Sequence, residues 1–305
     1  MTDTLHRSEC RLKVTGGPAT FVIDDMRGCT GDVPELFQQA RSVLNSLEAR
    51  YSRYRPSSLI SQINKRAGTG IFTELDQETL ALFKLAGELW QLSDGLFDIT
   101  SGPLRQAWNF QDGGRAAPEC IEHTLALVGW DQVDWDDESC HLSEKGMELD
   151  LGGLAKEYAV DCVVQLFKDA AVDSALIELA GDTAVIGTQG NGEPWKIGIT
   201  NPNGSASLCT IDLKDGAMTT SGNYARKLSH NGCSYGHLLD PRSGWPVEGP
   251  ASVTVIDDCC LTAGAISTVA CLQSEAAATQ WLEQSQLPWL MVSAQATISG
   301  PIATC

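Results

Sequence analysis

The sequence predicts an α+β protein, and three observations lead there. Helical stripes and short β-rich runs are mixed along the whole chain, strands do not alternate strictly with helices, and two strand candidates flank a single Ala-Gly-Asp turn at 180–182 directly. The clearest helix covers 33–50, where Val33, Leu36, Phe37, Ala40, Val43, Leu44 and Leu47 recur at spacings of three and four. Further helices are predicted over 75–92, 153–170, 262–272 and 274–285. In the 153–170 helix, Ala155, Ala159, Cys162, Val163 and Leu166 share one face. Strands are predicted over 20–23, 174–179, 183–186, 195–200, 208–213, 252–256 and 290–293, each rich in β-formers and bounded by turn residues.

The chain has 305 residues, 43% hydrophobic and 20% charged, which excludes disorder, collagen and coiled coil. It is read as one catalytic unit over 1–305, with 111–118 a surface loop inside it. The net charge of −18 argues against nucleic acid or an anionic membrane as the main partner, because no basic face can accumulate. No run approaches the roughly 18 apolar residues of a membrane span, and the first residues lack a signal-peptide core. The expected location is cytoplasmic. Eleven cysteines are scattered without a C-x-x-C; most are expected to be buried or surface thiols, and zinc is disfavoured.

Several segments can carry chemistry. In LDLGGLAKEYAVD the pair Gly152–Gly153 opens a helix, and free N–H groups at a helix start suit phosphate. Lys156 in that first turn opposes the dipole, which hints at an anion nearby; a solvated surface lysine is the equal alternative. In YGHLLDPRSGWPV, His237 beside an Asp-Pro turn suits a general base or a turn residue bonded to backbone. Asp98, Thr100, Thr220 and Ser221 are read as turn residues that bind ligand or, more commonly, brace loops. Tyr54 is either a platform for a planar ring or a half-buried loop anchor. Trp108 and Phe110 read as core. There is no P-loop, dinucleotide fingerprint or G-x-S-x-G.

The ordered run SRYRPSSLISQIN, GLFDITSGPLRQAWNF, LDLGGLAKEYAVD, LIELAGDTAVIG, PWKIGITNP, AMTTSGNYAR, YGHLLDPRSGWPV and SVTVIDDCCLTAGAISTVACL resembles the ApbE-like FAD:protein FMN transferases, over about 51–272. The resemblance implies transfer of the FMN half of FAD to a Thr or Ser hydroxyl of an acceptor flavoprotein, with release of AMP. It implies FAD contacts at Tyr54, Gly95, Leu96, Phe97, Asp150, Lys156 and Leu238, Mg²⁺ ligands at Gly153 (carbonyl) and Thr268, and His237 as base. Lysine and a divalent cation would neutralise the diphosphate that a chain of net −18 otherwise repels.

The chain departs from the family pattern at three places. Gly264 stands where the family carries a metal-binding aspartate, Glu157 where a glycine is common, and Ala180 where a second glycine is common. Mg²⁺ normally takes one or two carboxylates, so Gly264→Asp is expected to tighten metal binding. Gly264 also motivates the alternative of a non-catalytic FAD-binding carrier or regulatory subunit. An FAD pyrophosphatase, in which water replaces the acceptor, is a further alternative.

Overall fold

The computed structural model describes residues 7–14, 17–24, 32–109, 114–115, 118–204, 206–223, 227–230 and 233–303. His6, Cys29, Phe110, Cys305 and most of the 111–118 loop lie outside the described residues. The architecture is α+β, as the mixed pattern predicts. Its centre is an eight-stranded antiparallel sheet, in spatial order Ser8–Val14, Gly17–Ile23, Ala175–Leu179, Asp182–Ile186, Gly216–Gly222, Ser252–Asp257, Trp289–Val292 and Ile298–Ser299.

Eight helices accompany it among the described residues: α1 Val33–Tyr51, α2 Leu59–Lys65, α3 Gln77–Leu92, α4 Leu104–Ala107, α5 Pro118–Leu125, α6 Ala155–Asp169, α7 Cys260–Cys271 and α8 Glu275–Ser285. All five predicted helices are present, with ends shifted by no more than about two residues. α6 starts two residues after the predicted Gly153.

Period-two alternation divides the sheet between two cores. Phe21, Ile23, Ala175, Ile177, Leu179, Ala184 and Ile186 face the helical layer, where Phe21, Phe37 of α1 and Phe167 of α6 meet with ring centroids 6.1–6.4 Å apart. Val22, Val185, Met218, Leu290 and Val292 face a hairpin of Trp195–Thr200 and Ser207–Leu213, whose Trp195, Ile197 and Ile199 close that side. Strand Asp182–Ile186 is buried at every residue because both its faces are covered. Its turn places Ala180 at φ +51°, a left-handed conformation that glycine adopts more cheaply. Seen against this sheet, the commoner glycine at 180 is understandable.

Of the strands that escaped the sequence reading, two are long strands of the central sheet. Ser8–Val14 alternates polar and half-buried residues at the sheet edge. Gly216–Gly222 is a correction: Thr220 and Ser221 lie not in a turn but on a strand in the middle of the sheet, paired with Thr254 and Val253. Its small and hydroxyl residues hide the β pattern. Pro118 begins a helix rather than ending a loop. Trp108 is core, with its indole N–H donating to the Gly244 carbonyl at 2.7 Å.

Among the free cysteines, burial pushes the Cys140 and Cys271 thiols up to about 12, so they are inert fillers. Cys209 is disulfide-bonded. No group of three or more His, Cys, Asp or Glu side chains stands in a metal-ligating array among the described residues. None of their helices is long and apolar enough to cross a membrane.

Candidate active site

The candidate site is organised by α6 and α7, which run antiparallel against each other. Three rungs at four-residue spacing join them. At the first, the ring of Phe97 and the Cγ2 of Thr268 surround the bare α-carbon of Gly153. At the second, Glu157 lies over Gly264. At the third, the Asp161 carboxylate accepts the N–H groups of Cys260 and Leu261 at 2.8 Å each, capping the start of α7. Desolvation, together with the nearby charges of Glu157 and Asp257, holds the Asp161 carboxyl above the usual carboxylate range.

The turn before α6 is built by Asp150. Its Oδ1 accepts the Gly152 N–H at 2.9 Å, so this N–H is already engaged. Its Oδ2 lies 3.1 Å from Arg105 and 3.7 Å from Arg53. Arg53 also donates to the Gly102 carbonyl and to Glu148 at 3.3 Å. Asn64 fixes the approach to this turn, exchanging hydrogen bonds with the backbone of Leu149 at 2.7 and 3.0 Å. Neither arginine nor Asn64 is identified as a site residue by the sequence. The one signal available was that all three lie inside motif segments.

Lys156 does have anions beside it. It is not a free surface charge, and its anions are the chain's own: an ion pair to Asp182, and Glu157 Oε1 at 3.0 Å. Both carboxylates are buried. One lysine therefore faces two acids, and Glu157 Oε2 is buried with no hydrogen-bond partner among the described residues.

On the other side of α7, Ser221 on the central strand is within 2.9 Å of the Ser267 hydroxyl and 3.0 Å of the Thr268 hydroxyl. The following Asn223 accepts the Leu238 N–H at 3.2 Å. Leu238 packs on the cluster that holds Ala263 and Ala270 of α7. His237 is half-buried in a bend after the Cys233–Gly236 strand, next to Leu238. Asp240 fixes the next turn, accepting from the Arg242 N–H at 2.8 Å.

Gly95 has φ +77° and its bare α-carbon faces the Arg242 side chain. It lines a cavity of about 600 Å³ with Trp90, Asp98, Pro241 and Arg242. Leu96 and Phe97 are buried beside it. Asp98 and Thr100 brace the loop: Asp98 accepts from the Thr100 N–H and hydroxyl and from the Trp130 N–H at 2.6–3.0 Å. Tyr54 is 66% exposed, so the half-buried anchor is excluded; its ring carries the Arg53 guanidinium at 5.2 Å.

For a divalent cation the oxygen donors carried by these rungs are the backbone carbonyl of Gly153, the Thr268 hydroxyl, which bonds Ser221, and, one rung on, the Glu157 carboxylate that lies over Gly264. Hard cations take such a set, and the orphaned, buried Oε2 is a donor with capacity to spare. The residues fit. A Cβ at 264 would fall on the Glu157 Cγ and only 3.2 Å from its Cδ, so the Glu157 side chain must move before Gly264→Asp can place a carboxylate there.

Residues 9–291 match the ApbE family. The chain belongs to the ApbE family, and with it to the transferases. It is 30% identical to the FAD:protein FMN transferase of Chlamydia pneumoniae over 83% of this chain and 81% of the relative. It is 28% identical to the FAD:protein FMN transferase of Vibrio cholerae, over 86% and 80%. The crystal structure of the ApbE protein from Thermotoga maritima superposes with a TM-score of 0.88 at 28% identity, covering 98% of both chains. The flavin transferase ApbE from Vibrio cholerae superposes equally well at 24% identity.

Proposed function

We propose that the chain is an FAD:protein FMN transferase, acting on FAD and on a Thr or Ser hydroxyl of an acceptor flavoprotein. The observation that carries this is the meeting of Gly153, Phe97 and Thr268 at one end of the α6–α7 pair, with Leu238 of the His237 loop packed on the core cluster that includes Ala263 and Ala270. The relatives named above carry the same activity in their names.

In this reading the flavin lies by Gly95, Leu96 and Phe97 under the exposed ring of Tyr54, which stacks on its planar system. Asp150, steadied by Arg53 and Arg105, and Leu238 complete the FAD contacts. Lys156, ion-paired with Asp182 and Glu157, stands at the position that the resemblance assigns to an FAD contact. Mg²⁺, held by the Gly153 carbonyl and the Thr268 hydroxyl, supplies neutralisation of the non-bridging oxygens when bound. The acceptor oxygen forms a bond to the FMN phosphorus, the bond from that phosphorus to the bridging oxygen breaks, and AMP leaves with the bridging oxygen. His237 takes the hydroxyl proton. Departure of AMP needs no redox partner, so atoms and charge balance within FAD and the acceptor.

The test is incubation with FAD, Mg²⁺ and an acceptor flavoprotein domain, followed by mass spectrometry of the acceptor. An acceptor heavier by the FMN moiety, with stoichiometric AMP, is the expected result, lost in His237→Ala with FAD binding kept. Free FMN plus AMP and an unlabelled acceptor would instead identify a pyrophosphatase. Bound FAD without AMP would identify a non-catalytic flavin carrier.

A further inference from the structure

We infer that Glu157 is the carboxylate ligand of the metal site, reaching from α6 into the space that Gly264 leaves open on α7. The inference rests on the flavin-transferase reading for the identity of the ligand site, and on four observations for the residue.

Glu157 is only 5% exposed, yet Oε2 has no hydrogen-bond partner among the described residues. A carboxylate oxygen taken out of water without a partner is costly, and such groups are paired or coordinate a cation. Lys156 does not settle the account. It is already ion-paired with the equally buried Asp182, so the three side chains carry a net charge of −1.

The location also suits a cation. Glu157 lies one helical rung from the Gly153–Thr268 pair, and Gly264 and Thr268 are successive positions on one face of α7. The side chain over Gly264 lies one turn of α7 from Thr268, whose methyl group faces Gly153 and whose hydroxyl bonds Ser221. The fit is also reciprocal: the Glu157 Cγ occupies the place of a 264 side chain. The chain has an acid at 157 and a bare position at 264, the reverse of the glycine and aspartate of the resembling sequences. One negative charge is kept in the seam, donated from the opposite helix.

The test uses Mn²⁺ alone, titrated into the full chain and followed by the electron paramagnetic resonance of free Mn²⁺, with Mg²⁺ as competitor. FAD binding is read by flavin fluorescence in parallel samples. The wild type is expected to bind one Mn²⁺. Glu157→Gln, which keeps shape and removes charge, should weaken it at least about tenfold, since losing even an outer-shell partner costs that much. The exchange Glu157→Gly with Gly264→Asp should restore affinity. If Glu157→Gln fails to fold, Glu157→Asp carries the test, because an arm shorter by one methylene must also weaken Mn²⁺. A wild type that binds FAD but not Mn²⁺, or a Glu157→Gln variant with unchanged Mn²⁺ affinity, overturns the inference and leaves the flavin reading standing. Glu157-dependent Mn²⁺ binding in a chain that ignores FAD does the reverse.

Discussion

The Glu157 side chain lies where a side chain at Gly264 would be, so the two positions, 107 residues apart in sequence, share one volume. Overpacking such a seam costs about 1–3 kcal/mol. Gly264→Ala should therefore destabilise the wild type by that amount in urea unfolding. In a Glu157→Gly background the same change should stabilise, because alanine is about 1 kcal/mol better than glycine in a helix interior. Equal effects in both backgrounds would refute the shared volume.

Tyr54 makes its case by exposure. A ring that is 66% exposed contributes little to folding, so Tyr54→Ala should change stability by no more than about 0.5 kcal/mol. FAD affinity should fall on the order of tenfold, the size of one lost aromatic stack. Isothermal titration with FAD beside a melting curve reads both. A large loss of stability with unchanged affinity would make it a structural residue.

Asp150 depends on its two arginines unequally. The Arg53 side chain is 15% exposed and serves Gly102, Glu148 and Asp150, whereas Arg105 is 41% exposed. Removing Arg53 leaves partly buried acids uncompensated and should cost on the order of 2–3 kcal/mol. Arg105→Ala should cost no more than about 1 kcal/mol. Chemical denaturation of the two variants ranks them.

Asp98 gives a pH dependence with a definite sign. Desolvation holds its carboxyl above the ordinary 3.8, against the lowering effect of hydrogen bonds from Thr100, Trp130 and Trp90. A folded-state value above the unfolded one means that the native state binds the proton more readily. The stability it contributes is then full below 3.8 and falls as pH rises through the raised value. The margin of wild type over Asp98→Asn, measured by urea unfolding at stepped pH, should narrow in that direction. A margin that widens with rising pH would show a depressed carboxyl instead.

Much of the fold was legible because its elements announce themselves locally. The stripe from Val33 to Leu47 and the β-rich run at 175–179 each report which of their own faces is dry, and that requires no knowledge of neighbours. Gly216–Gly222 was misread for the same reason. Glycine, alanine, threonine and serine carry little periodic contrast, and this strand is specified by the partners on either side of it. Site segments were legible as ordered motifs, yet their internal bookkeeping was not. Lys156 looked like a cation waiting for an anion, and Asp98 and Ser221 looked alike as turn residues.

What the sequence determined by itself was the α+β class, the positions of five helices and seven strands, and the ordered motif set that identifies the family. Only the tertiary structure decided that Lys156 is neutralised by Asp182 and Glu157, that Asp150 rests between Arg53 and Arg105, and that Glu157 takes the place of a side chain at 264. Periodicity is a property of one element against solvent. Charge compensation and shared volume are set by the register of two packed elements, and α6 and α7 acquire that register only when the sheet brings them side by side.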